Sequence, residues 1–204
     1  MGFLVDNEQE YKFLKGKSKK IACMFVGSDI RSPKLVKEYL KEHQIDGFID
    51  YQAIQNPEFL TDKFDNKRKN LSRIVDKYAD IIFNFKYCQL SYIKSHTYPW
   101  PILYDKKHFF YNENKFDKMS KIKIVHAPSS PFIKGTPLVR AAIKKLSIEG
   151  YIFEYVELQG VSNHEVLDEL RSAHIVLNQF YGYDITLGLF AIEAMASHTA
   201  LLMS

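Results

Sequence analysis

The chain has 204 residues, 46% hydrophobic and 25% charged, with only 9 Gly and 7 Pro, a balance that excludes collagen-like, low-complexity and wholly disordered classes. Its 28 Lys and Arg against 24 Asp and Glu leave a net charge of +4, dispersed along the chain and without a recognised RNA or DNA motif, so no nucleic-acid partner is expected. The apolar run from Ile21 to Val26 is far shorter than the roughly 18 residues of a membrane span, and MGFLVDNEQE has neither the pattern of a secretory signal nor a myristoylation motif, which leads to the expectation of a cytoplasmic protein.

In chain order, a polar helix over about 6–15 leads into KKIACMFVGSD, a buried strand. The lysines at its boundary (Lys12, Lys15, Lys17, Lys19, Lys20) read as the solvated end of that helix, with contact to an anionic membrane surface as the alternative. Pro33 to His43 is a helix with Leu35, Val36, Tyr39 and Leu40 on its apolar side. Residues 48–66 are expected to be irregular, Leu71 to Tyr78 helical, 79–85 a strand and 98–110 a loop with one extended segment. The polar stretch 112–120 is the linker candidate, which divides the chain into 1–111 and 121–204.

The second half is clearer. Ile122, Ile124 and Val125 mark a strand. Thr136 is expected as the N-cap of a helix with Pro137 at its first position, an apolar stripe at Val139, Ala142, Ile143 and Leu146, and Gly150 at its end. Residues 152–159 form the next strand. Ser162 and Glu165 form a capping box before a helix that buries Val166, Leu167, Leu170 and Ala173. A strand over 174–180, a short helix over 189–197 and a last strand over 199–204 follow. Strands alternating with helices imply parallel α/β architecture, with ligands beyond the carboxyl ends of the strands.

Two places there carry useful chemistry. The loop 129–136 sets Lys134 before Gly135 and a helix start, which combines a cation, free amides and room for a phosphate. A surface lysine in a turn is the plainer alternative. Gly188 and Leu189 open the last helix, where Glu193 is the one acid among apolar residues and is either a hydrogen-bond acceptor for sugar hydroxyls or an exposed helix residue. Cys23 and Cys88 lack a CxxC partner and read as reduced packing residues. The seven histidines show no metal-ligand spacing, so no metal is expected, and His126 reads as a packed core histidine.

KIKIVHAPSSPFIKGTPLVRAAIKKL, VELQGVSNHEVLDELRSAHIVLNQF and GLFAIEAMASHTALLMS, in this order, resemble the nucleotide-sugar half of the family 4 glycosyltransferases, of capsular and lipopolysaccharide type. KKIACMFVGSDIR, VDKYADIIF and PILYDKKHFF look like the later part of the acceptor lobe and the interlobe linker. The resemblance implies the GT-B architecture, two Rossmann-like lobes with parallel sheets and flanking helices, each incomplete here, and hence a shortened chain with exposed edges that is expected to associate with itself or to be poorly soluble. It also implies transfer of a sugar, with retention, from a nucleotide sugar to a polysaccharide or lipid-linked acceptor, at the inner membrane face in the lipid-linked case, without metal or other cofactor. In that scheme Lys134 is the catalytic residue that holds the diphosphate with Gly135, the amides of Gly188 and Leu189 contact the same phosphates, Glu193 binds the ribose, and the backbone near Val161 meets the base. Where the family has Arg, this chain has Ser129, and where the family has the first of two glutamates it has Ile185, beside Asp184. Two further readings stay open: a non-catalytic remnant that binds nucleotide weakly or contacts a partner protein, and an unrelated doubly wound protein.

Overall fold

The computed structural model describes residues 8–26, 28–45, 48–85, 90–99, 112, 114–117, 119–180 and 188–203. Cys88, Asp184, Ile185 and the extended segment expected within 98–110, from residue 100 on, lie outside them. The chain divides into two compact units, Met1–Ile102 and Leu103–Ser204, each built on a parallel sheet flanked by helices. Among the described residues no helix is long and apolar enough to cross a membrane.

The first unit runs α1 (Glu8–Gly16), β1 (Ala22–Met24), α2 (Pro33–Glu42), α3 (Phe48–Gln55), a 3-10 turn (Pro57–Leu60), α4 (Asp62–Tyr78) and β2 (Ile81–Phe83). β1 and β2 pair in parallel with Cys23 opposite Ile82. Alternation on β1 sends Cys23, with Ile21 and Phe25, into a core shared with Ile30, Val75 and Ile82, against which Tyr11 and Leu14 of α1 and Leu71 of α4 pack. Cys23 is a buried free thiol.

Residues 48–66, expected to be irregular, are almost wholly helical, and α4 starts nine residues before Leu71. The cause is local hydrogen bonding that apolar periodicity does not register. Asn56 Oδ1 accepts from the Glu58 N–H at 3.3 Å with Pro57 behind it, and Thr61 Oγ1 caps α4 by accepting from the Phe64 N–H at 3.3 Å. The buried side of α4 consists of Asp65 and Ser72 as well as Ile74 and Val75, so half of its inward face is polar.

The second unit runs β3 (Ile122–His126), α5 (Thr136–Ile148), β4 (Phe153–Glu157), α6 (Asn163–Leu170), β5 (Ile175–Leu177), α7 (Leu189–Ala196) and β6 (Ala200–Leu202). All four strands are parallel, in the order β4-β3-β5-β6. Val125 and Val176 point to one face, where Leu170, Ala173 and Ala194 of the α6 and α7 segments complete a core of fully buried side chains. Ile124, Ile175 and Leu177 point to the other face, which α5 covers in part. A groove of about 340 Å³ lined by Val139, Ile143, Leu146, Phe180 and Leu202 remains there. Ala142, expected within a buried stripe, is therefore exposed.

Within the stretch 112–120, residues 114–117 form a turn that packs on this unit. Lys115 is buried, its ammonium donating to Ser197 O at 2.7 Å and Thr199 Oγ1 at 2.8 Å at the end of α7. His174 donates from Nε2 to Lys115 O and accepts the Lys123 N–H at Nδ1, both at 2.8 Å. Burial without a carboxylate partner in these bonds pushes the Lys115 pKa down to about 8.

Candidate functional site

The strand order of the second unit reverses its direction of growth between β3 and β5, because β3 connects to β4 on one side and β4 returns past it to β5. Connections that diverge at such a point open a crevice beyond the carboxyl ends of the two strands. The chain delivers to this place the loop 127–135 from β3 and Asn178 and Gln179 from β5, both buried.

His126, the last residue of β3, is fully buried and joins three elements. Its Nδ1 donates to Leu177 O at 2.6 Å, so the neutral ring accepts the Thr136 hydroxyl at Nε2, 2.8 Å away. Burial pushes its pKa down. Thr136 is thus not the helix cap expected from the sequence. The cap of α5 is Gly135, at φ 72°, with no side-chain hydrogen bond, and the threonine hydroxyl is turned inward onto the histidine.

Lys134 is half-buried in a tight turn. Its N–H donates to Ser130 O at 2.9 Å, its carbonyl accepts the Phe180 N–H at 3.3 Å, and its ammonium donates to Gln179 Oε1 at 2.7 Å. Gly135 is required where it stands, because a Cβ there would sit 3.0 Å from Phe180 Cβ and 3.2 Å from its carbonyl carbon, at a positive φ. The turn carrying Lys134 is therefore clamped against the segment that leaves β5.

Gly188 caps α7 at φ −65° and ψ 167°, a conformation open to any residue, and a Cβ there would meet open space. Among the described residues no side chain caps the start of α7, where the first-turn amides of a helix lack intrahelical acceptors. Leu189 is exposed. Glu193, half-buried one turn on, accepts from Asn163 Nδ2 at 2.9 Å. Asn163 begins α6, directly after the loop in which Val161 is exposed beside Gly160 at φ 66°. The expected capping box is present: Ser162 Oγ accepts from the Glu165 N–H at 3.3 Å, and Glu165 Oε2 from the Ser162 N–H at 2.8 Å.

Of the site residues read from sequence, Lys134 and Gly135 stand with Gln179 and Phe180, Glu193 is bonded to Asn163 near Val161, and Gly188 and Leu189 open α7. All sit in the loops that follow carboxyl ends of the same sheet or in the helices those loops lead into. Gln179 and Asn163 were missed by sequence reasoning. The signal for Gln179 was the abrupt change from Ile-Val-Leu to Asn-Gln at the end of β5, where polar side chains become buried as the strand stops. Among the described residues no group of three or more His, Cys, Asp or Glu is placed to hold a metal ion.

The first unit holds a buried polar cluster of a different kind. Asp65 accepts from Ser32 Oγ at 2.5 Å and Tyr92 OH at 2.8 Å, and pairs with Lys69 at 3.2 Å. Burial acts to raise its pKa, but these hydrogen bonds outweigh it and hold the carboxyl below its usual value. Ser32 also caps α2 by accepting the Leu35 N–H at 3.2 Å, so the cluster fixes the loop after β1 to α4. Comparison with protein-family models and with curated proteins returns no match for the chain.

Proposed function

We propose that the chain is a glycosyltransferase-like protein of GT-B type whose second unit takes a nucleotide sugar at the carboxyl edge of β3 and β5. The observation that carries this reading is the seating of Lys134 and Gly135 at the strand-order reversal, with the start of α7, capped by Gly188 without a side-chain hydrogen bond, following β5 of the same sheet. In the proposed complex the Lys134 ammonium and the amides at Gly188 and Leu189 hold the diphosphate and stabilise it as leaving group, Glu193 accepts from the ribose, and the backbone at Val161 borders the base. Fixed donors aimed at a developing phosphate charge favour departure of the nucleoside diphosphate. Retention, the polysaccharide or lipid-linked acceptor and a peripheral position at the inner membrane face belong to the same proposal.

The second reading, a nucleotide-binding protein without turnover, is favoured by Ser129, which leaves Lys134 without the arginine that the resemblance places five residues before it. Calorimetry with uridine, guanosine and adenosine diphosphates is expected to detect binding that Lys134→Ala weakens at least tenfold. No heat at millimolar ligand, or equal heat from the variant, overturns both readings. Incubation with the matching nucleotide sugars then separates them, since release of nucleoside diphosphate identifies the enzyme.

A further inference from the structure

Among the described residues no strand pairs with the outer edge of β1. Its ladder to β2 uses the backbone of alternate residues: the Ile81 N–H donates to Ile21 O at 3.3 Å and the Phe25 N–H to Phe83 O at 3.1 Å, in the register that pairs Cys23 with Ile82. By the same alternation the N–H and C=O groups of Ala22 and Met24 point away from β2. They face a groove of about 450 Å³ whose other wall includes Glu10, Tyr11 and Leu14 of α1 and Leu71 of α4. Met24 is 52% exposed, and Phe13 on the same α1 is 64% exposed.

We propose that β1 pairs with β1 of a second copy of this chain, antiparallel about a two-fold axis, so that two two-stranded sheets become one of four strands. Three observations select this occupant. Unpaired amides and carbonyls on a strand edge are matched by another extended backbone, and here the edge is self-complementary because Ala22 of one copy meets Met24 of the other and the reverse. A sheet of two strands is marginal by itself, so it gains more from an added strand than the four-stranded sheet of the second unit does. The charges also match. Lys17, Lys19 and Lys20 precede the strand and Asp29 follows it, all exposed, so the antiparallel arrangement carries the lysines of each copy toward the other copy's Asp29.

This inference is independent of any nucleotide site. Sedimentation of the full chain between 1 and 100 µM tests it, with twice the 23.8 kDa chain mass expected. Ala22→Pro removes only an outward-pointing amide, and Met24→Lys adds a charge at the junction beside the other copy's Lys20. Each is expected to weaken the dimer at least tenfold while the circular dichroism of the helices is unchanged. Should Ala22→Pro lose its fold, Met24→Lys and the charge reversal Asp29→Lys carry the test, the latter weakening the dimer and inverting its salt dependence. A monomeric wild-type chain over that range, or a dimer indifferent to the variants that fold, overturns the proposal.

Discussion

Among the described residues, the second unit has four strands that bury Val125 and Val176 completely, whereas the first unit has two strands and fastens its helices with charged groups. Glu8 on α1 takes a hydrogen bond from Arg73 at 2.7 Å and from Tyr78 at 3.1 Å on α4, with Lys12 and Lys77 nearby. Asp80 before β2 receives Lys15 at 2.6 Å and the Ile21 N–H at 2.8 Å. The division of charge follows. The first unit has 17 Lys and Arg against 13 Asp and Glu, and the second has 11 of each, so the net charge of the chain resides in the first. A small sheet leaves less apolar area to bury, and helices around it are then positioned by directional polar contacts, which have narrower geometric tolerance and depend on pH.

The sharpest way to break this contrast is to empty the core of the second unit. Leu170→Ala removes a fully buried side chain between α6 and the sheet and is expected to cost about 3 kcal/mol. Calorimetry should show this loss in one transition while that of the first unit keeps its temperature; a parallel fall in both would mean that the units unfold as one. The matching change in the first unit is polar. Asp65→Ala leaves the hydroxyls of Ser32 and Tyr92 without their acceptor and is expected to cost about 2 kcal/mol, read from urea unfolding.

The dependence on pH should have the same sign in the two units but fall in different intervals. Glu8 and Asp80 are held at about 2, Glu8 first by its hydrogen bond from Arg73 and Asp80 first by that from Lys15. Because folding lowers these pKa values, their contribution is complete above the unfolded values of 4.5 and 3.8 and disappears as pH falls toward 2. The first unit should therefore lose melting temperature over that interval. Lys115 acts in the second unit in the same direction but at alkaline pH, and through burial rather than through hydrogen bonds. The unfolded chain binds its proton more tightly, so stability rises as pH climbs from about 8 toward 10.5, and Lys115→Met should abolish that rise. Melting curves of both proteins across this range decide it. The smallest effect is expected at Glu193→Gln, which keeps an acceptor for Asn163 and should alter stability by less than about 0.5 kcal/mol while weakening nucleotide affinity. Unchanged affinity with a large loss of stability would remove Glu193 from the proposed site.

Much of the second unit could be read from residue order. Its strands are short apolar or alternating segments, and the Ser162–Glu165 box and the glycine after α5 are local signals whose physics lies within a few residues. The first unit was less legible. The start of α4 is set by the Thr61 cap, a local signal that apolar periodicity does not register, and its inward face by Asp65, whose partners Ser32 and Tyr92 are distant in the chain.

At the candidate site, the sequence alone determined which residues stand in loops after strands: Lys134 and Gly135, Val161, Gly188 and Leu189, and Glu193 on the helix beyond. Tertiary structure decided what they touch. Thr136 turned from helix cap to partner of His126, Gly135 became necessary because Phe180 lies against it, and Lys134 and Glu193 acquired Gln179 and Asn163 as neighbours. Propensity and capping act over three or four residues and are written in local order. The distance between β3 and β5 is set by parallel pairing across some fifty positions of chain, which brings His126 to Leu177 and Lys134 to Gln179 only once the sheet has formed.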